Sequence, residues 1–247
     1  MTNVVGTRAV FGVVVPSTNT VVEHDYWRAG LPGIAFRAGS MYIPNPVMGD
    51  DADFQALLVQ IRASIDTAVR DVLTAEPERM VMGMSAETFW GGVAGNAAFE
   101  QRLRDRTGLP VTTGASSCRA ALHELGCRRI AVFSPYQPIA DREVGRFFTE
   151  AGFDVAAITG LRCPSAMAIA RVGDDRLREV VTALDGPDVQ AIVQVGTNLS
   201  FVALADRLEA ELGKPVIAIN AATLWYALRD HGFADRIEGA GALLREH

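Results

Sequence analysis

The sequence predicts an α/β protein of two pseudo-symmetric lobes, each a short, mostly parallel sheet flanked by helices. Three observations carry that prediction. Apolar runs of strand length alternate with longer amphipathic stretches, the pattern of successive βαβ units. Several segments recur in the same order in the second half of the chain. Finally, 247 residues that are 49% hydrophobic and 21% charged supply enough apolar surface to offset the entropy of ordering, which excludes a disordered chain.

Taken in order, Ala9–Pro16 (AVFGVVVP) is a continuous β-branched run, as expected of a strand covered on both faces. From Asp53 to Thr74 the apolar positions Phe54, Leu57, Leu58, Ile61, Ile65, Val69 and Val72 recur at helical spacing, and the pattern stops before Pro77. Arg79–Met84 reads as the next strand and Glu87–Arg106 as a single helix. The remaining strands are expected at Leu109–Val111, Ile130–Ser134, Val155–Ile158, Ala191–Val195 and Val216–Ile219.

The duplication is visible in short echoes. RAVFGVVVPSTN (8–19) is matched by RRIAVFSPYQP (128–138), and RMVMGMSAETF (79–89) by AIVQVGTNLSF (191–201). Each of the second pair leads through a helix to a Gly-x-Pro-Val strand, at Gly108–Val111 and again at Gly213–Val216. Parallel strands resemble one another, so a single echo would mean little; the shared order is what argues for two lobes. The expected division is residues 1–114 with a C-terminal helical stretch, 221–247, forming the first lobe, and residues 115–220 forming the second.

In open α/β sheets, ligands sit beyond the carboxyl ends of the strands. Those ends carry Pro16-Ser17-Thr18-Asn19-Thr20, then Ser85-Ala86-Glu87-Thr88, then Ser134-Pro135-Tyr136, Gly196-Thr197-Asn198 and Asn220. The tips are rich in neutral hydroxyls and amides and poor in cations. Short donors beside helix N-termini suit a small carboxylate, because aligned N–H groups and the helix dipole hold an anion without Lys or Arg. Any one such residue is explained equally well as a helix cap. The functional reading rests on equivalent tips in both halves, which would face each other across one interlobe cleft.

The motifs VPSTNTVVE (15–23), MVMGMSAETFWGG (80–92), FSPY (133–136), VGTNLS (195–200) and LGKPVIAINAATLWYALR (212–229) resemble the aspartate/glutamate racemase superfamily over nearly the whole chain. The branch most similar is that of maleate cis–trans isomerases and arylmalonate decarboxylases. The resemblance implies cofactor-independent chemistry in a cleft between two lobes, with one cysteine at a strand end of each lobe as acid, base or nucleophile. Here Gly83, or Met84, stands at the first of these positions and Gly196 at the second. A thiolate cannot be supplied by glycine, so the two-thiol mechanism does not transfer. The actual cysteines, Cys118, Cys127 and Cys163, fall elsewhere, in a helix, before a strand and on a loop, and are expected to be inert. The binding residues survive. Asn19, flanked by Pro16 and Thr18, matches a carboxylate clamp, Ser85 and Tyr136 match hydroxyl donors to a carboxylate or enediolate-like oxyanion, and Thr197 and Asn198 follow the vacant second position. A second-lobe asparagine of the family is replaced within Pro164-Ser165-Ala166-Met167, which argues against the usual dicarboxylate.

With cysteine absent, Glu87 is the expected acid–base group, with Ser85 and Tyr136 as further acids. Water in the space left at Gly83 or Gly196, activated by Glu87, would make hydrolase or lyase chemistry the divergent outcome. A Glu at a helix start is also accounted for by the dipole alone. Two other readings remain open: a carboxylate-binding or sensing protein without turnover, and a thiol enzyme using Cys118 or Cys163. No metal-ligand spacing links His24, His123, His231 and His247, and PSTNT replaces any Gly-x-Gly-x-x-Gly, so neither metal nor dinucleotide is expected. A net charge of −6 disfavours nucleic acid. No apolar run reaches membrane-spanning length, and the low, odd cysteine count suits a reducing compartment, so the expectation is a cytoplasmic protein, dimeric as its family resemblance implies.

Overall fold

A computed structural model describes residues 3–247. The first strand, β1 (Ala9–Pro16), is buried along nearly its whole length, as its unbroken β-branched sequence requires. Helix α1 (Val22–Arg28) follows, then an edge strand β2 (Ile34–Met41), then the long helix α2 (Asp51–Leu73), capped by the Asp50 side chain on the N–H groups of Ala52 and Asp53. Strand β3 (Arg79–Met82) leads to a short helix α3 (Ala86–Phe89), helix α4 (Gly92–Thr107) and β4 (Val111–Thr112). The sheet runs β2-β1-β3-β4 and every pairing is parallel.

The second lobe repeats the plan. After α5 (Gly114–Glu124) come β5 (Arg129–Ser134), α6 (Pro138–Glu150), β6 (Asp154–Gly160), α7 (Ala166–Ile169), α8 (Asp174–Leu184), β7 (Ala191–Gln194), α9 (Val202–Leu212) and β8 (Val216–Ala218). Its sheet order is β6-β5-β7-β8, again all parallel, so the two sheets share one topology. Helices α10 (Ile219–Asp230) and α11 (Ala242–Glu246) complete the chain. Although α10 leaves the second sheet, it packs on α5, α1 and the β3–β4 side of the first. The buried Arg79 of β3 helps hold it there, donating to Thr112 and pairing with Asp230 at 2.5 Å.

Two sequence expectations are corrected. The stretch Glu87–Arg106 is two helices, not one, because the chain turns between α3 and α4 with Gly91 and Gly92 both left-handed at φ 77° and 67°. Strand β2 had no predicted counterpart. Its sequence IAFRAGSM is only intermittently buried at the sheet edge, so it lacks the continuous apolar run that marks β1.

Both sheets direct their carboxyl ends toward one seam between the lobes. The segment 42–50 crosses that seam: Met48 N–H donates to Pro164 C=O at 2.8 Å, Asn45 Oδ1 accepts from Met167 N–H at 3.0 Å, and Val47 forms an antiparallel bridge with Ser165. Among the described residues no helix is long and apolar enough to cross a membrane.

Candidate active site

The carboxyl ends of β1, β3, β5 and β7 surround a cavity of about 510 Å³, open mouth included, at the seam. Its polar end is formed by Thr18, Asn19, Ser85, Tyr136, Thr197 and Asn198, with Pro16, Met84 and Gly196 beside them. Its wall is apolar: Phe54, Leu57 and Ile61 come from α2, Ile43 and Met48 from the crossing segment, and Ala166 and Ile169 from α7. The sequence reading expected these nine residues at the ligand, along with Gly83, Glu87 and Asn220, which do not line the cavity. It missed the wall, because the α2 stripe reads identically whether it faces core or cavity, and because β2 and the crossing segment carry no periodic signal.

The donors are organised around Ser85. Its Oγ touches the Tyr136 hydroxyl and lies 3.3 Å from the Thr197 N–H, so one first-lobe hydroxyl meets two polar groups of the second lobe. Tyr136 is held at both backbone ends: its N–H donates to Ser134 Oγ at 3.0 Å and its C=O accepts from Arg162 at 2.6 Å. Asp141 ties those two supports together by bonding Ser134 and Arg162. Burial pushes the Tyr136 phenol well above its ordinary pKa, with the Ser85 hydrogen bond opposing and the Asp141 charge adding a smaller rise. The phenol therefore stays protonated at neutral pH and offers its O–H as a donor, while its oxygen can still accept.

The two asparagines mainly join the lobes. Asn19 Oδ1 accepts from the N–H groups of Val21 and Val22, capping the entry to α1, while its Nδ2 donates to Thr197 Oγ1 at 3.2 Å. One of its two N–H bonds remains for a ligand. Asn198 has none to spare: its Nδ2 donates to Thr18 C=O and Ala166 C=O, and its Oδ1 accepts from Thr20 N–H. Asn198 thus lines the cavity as a strap, not as a free clamp.

Glu87 and Gly83 are not among the residues lining the cavity, which corrects the expected acid–base role. Two residues beyond Ser85 on the same turn, the Glu87 carboxylate lines a separate hollow with Arg62, Asp66, Arg102 and Arg106. Arg62 Nε lies 2.8 and 2.9 Å from its two oxygens, and the guanidinium also sits over Trp90. A carboxylate fixed on that ion pair, outside the cleft, is not placed to activate water within it. At Gly83 a Cβ would point into Val15 and Val22, at 2.5 and 3.1 Å, so the position is packed instead of vacant. At Gly196 the backbone is left-handed, φ 119°, and a Cβ would lie 2.4 Å from Pro135 Cδ. The chain has closed around glycine at both points.

Cys118, Cys127 and Cys163 are buried, and none lines the cavity. Burial raises the pKa of all three thiols, that of Cys163 to about 11. Among the described residues lining the cavity there is no Asp, Glu, His, Lys, Arg or Cys. The arrangement is a neutral set of donors facing an apolar wall, suited to stabilising charge on one carboxylate while desolvating whatever it carries.

Comparison with known proteins agrees with this geometry. The family model for arylmalonate decarboxylase matches residues 50–244. The chain belongs to the arylmalonate decarboxylase family. It is 30% identical to an arylmalonate decarboxylase of Bordetella bronchiseptica, over 95% of this chain and 92% of that one. It is 27% identical to a maleate isomerase of Pseudomonas putida strain KT2440, over 94% and 96% of the two chains. The fold is that of Nocardia farcinica maleate cis–trans isomerase, solved as a cysteine-to-serine mutant with a covalently bound succinylcysteine intermediate. That structure superposes with a TM-score of 0.87 at 22% identity, covering 97% of this chain and 99% of the other. These three relatives are named isomerases and a decarboxylase.

Proposed function

We propose that this family member is a decarboxylase of small malonate-type acids bearing an apolar, aryl-sized substituent. The observation that carries the reading is the division of the cavity into a neutral donor end and an apolar wall, with no thiol on either side. A cis–trans isomerase working through a succinylcysteine requires a cysteine sulfur at the substrate, and the cysteines of this chain lie away from the cavity. Decarboxylation needs none for its first step. One carboxylate takes the donors at Ser85, Tyr136 and Thr197 N–H, and the other lies desolvated against the apolar wall, where its charge is least favoured. The C–C bond to that second group breaks and CO₂ departs. The electron pair passes into the retained carboxylate as an enediolate, which the donors stabilise as its charge grows. A proton from the Tyr136 hydroxyl or from water then completes the acid, and solvent restores the phenol.

The test is incubation of the purified protein with phenylmalonate and, separately, with maleate, following CO₂ release and product by NMR. Phenylmalonate should be converted to phenylacetate and maleate left unchanged. Ser85→Ala and Tyr136→Phe should each lower kcat by about 10²-fold, the usual loss for one oxyanion donor. Isomerisation of maleate without CO₂ release would overturn the reading. The missing thiol also favours a second reading, a carboxylate-binding protein; phenylacetate binding by calorimetry without turnover of any arylmalonate would select it.

A further inference from the structure

A second cavity, of about 400 Å³ with its mouth, opens between α1, the start of α10 and the C-terminal segment 237–244. Asp25 and Asn220 line it, and neither lines the cleft. Asn220 is 3% exposed and spends both N–H bonds on acceptors: Asp25 Oδ2 at 2.8 Å and the Thr197 carbonyl at 3.0 Å. Two acceptors on one side fix which way the amide faces. Its own Oδ1 is left buried with no partner, a cost the protein bears. Thr197 meanwhile presents its N–H to Ser85 and accepts Asn19 on its hydroxyl. Thr197 is therefore gripped by its carbonyl from one cavity and works with its N–H in the other.

We propose that Asp25 and Asn220 are positioning residues for the carboxylate site: ionised Asp25 orients the Asn220 amide onto the Thr197 carbonyl, and protonation of Asp25 turns that amide and releases Thr197. A protonated Asp25 gains an O–H donor and remains only a weaker, uncharged acceptor for the Asn220 amide, and the partnerless Asn220 Oδ1 is the acceptor at hand for that O–H. Turning the amide to meet it carries Nδ2 away from Thr197. The titratable and charged groups around Asp25 are His24, Tyr26 and Arg28 on α1 and Glu238 on the C-terminal segment, while α9 and α10 bring only Val202, Ala221 and Leu224 beside Asn220. Burial raises Asp25 to about 6, against the lowering effects of the Asn220 hydrogen bond and the His24 and Arg28 charges, so the switch falls near physiological pH.

The inference rests on the cleft being the carboxylate site, and its test separates the two. NMR of the unliganded protein, labelled with ¹³C and ¹⁵N, follows the Asp25 carboxyl and the Thr197 amide from about pH 5 to about pH 8. Both should move with one midpoint. In Asp25→Asn the Thr197 amide should stay still, and in Asn220→Ala it should no longer follow Asp25. With phenylmalonate, kcat should fall about tenfold below the midpoint with KM within about twofold, and Asp25→Asn should flatten that profile. A Thr197 amide indifferent to the titration of Asp25 overturns the proposal. Failure to turn over phenylmalonate leaves the NMR result standing and counts against the decarboxylase reading alone.

Discussion

Ser85 and Glu87 lie two residues apart on one turn, yet one faces the cleft and the other faces away from it. The difference is local geometry: Ser85 ends the run from β3 with its hydroxyl among donors, while Glu87 has begun α3 and reaches Arg62 on α2. From the sequence alone both were strand-end polar residues, and nothing in their spacing separated them. Glu87→Gln should therefore leave turnover within about twofold of the parent. It should cost about 1 kcal/mol of stability in urea unfolding, since Arg62 is 42% exposed and water screens the pair. A hundredfold loss of kcat in Glu87→Gln would restore the carboxylate as the acid–base group.

At the level of elements, the turn after β7 is shaped by glycine. Gly196→Ala forces a Cβ into Pro135 and a side chain onto a left-handed backbone, with an expected loss of about 2–4 kcal/mol by thermal unfolding. Gly213 caps α9 at φ 63° with open space around it, so Gly213→Ala should cost only about 1 kcal/mol. Equal losses would show that Pro135 yields and that the position could still house a thiol. Strand β1 was legible to the residue because a doubly covered strand is written as an uninterrupted apolar run. The polar tips were expected at the cleft because ligands of open α/β sheets sit beyond the carboxyl ends of the strands, although Glu87 and Asn220, read by the same rule, do not line it. The apolar wall was not, since Phe54, Leu57 and Ile61 fit one α2 stripe whose partner only the assembled lobes reveal. Segment 42–50, which supplies Ile43 and Met48, follows no period at all.

Across the whole molecule, two sheets of one topology meet at a seam sealed by Asn19, Asn198 and Asn220, and the half-buried Asp25 is the costly member of that seam. Its pKa rises from 3.8 unfolded to about 6 folded, so the native state binds more protons between these values. The stability it contributes is full below the unfolded value and is lost as pH rises through about 6. The displacement amounts to about 3 kcal/mol. Asp25→Asn should match the parent in melting temperature near about pH 4 and exceed it by roughly 6–12 °C at about pH 7, by calorimetry. A gap that stayed constant with pH would refute the burial cost. The most direct check on the central claim, that uncharged donors hold one carboxylate while an apolar wall takes its substituent, is a crystal structure with bound phenylacetate. The carboxylate should rest on Ser85 Oγ, the Tyr136 hydroxyl and Thr197 N–H, with the ring against Met48, Phe54 and Ile169. Phenylacetate found with its carboxylate on Arg62 or Arg102, and the cleft between the lobes empty, would contradict the account.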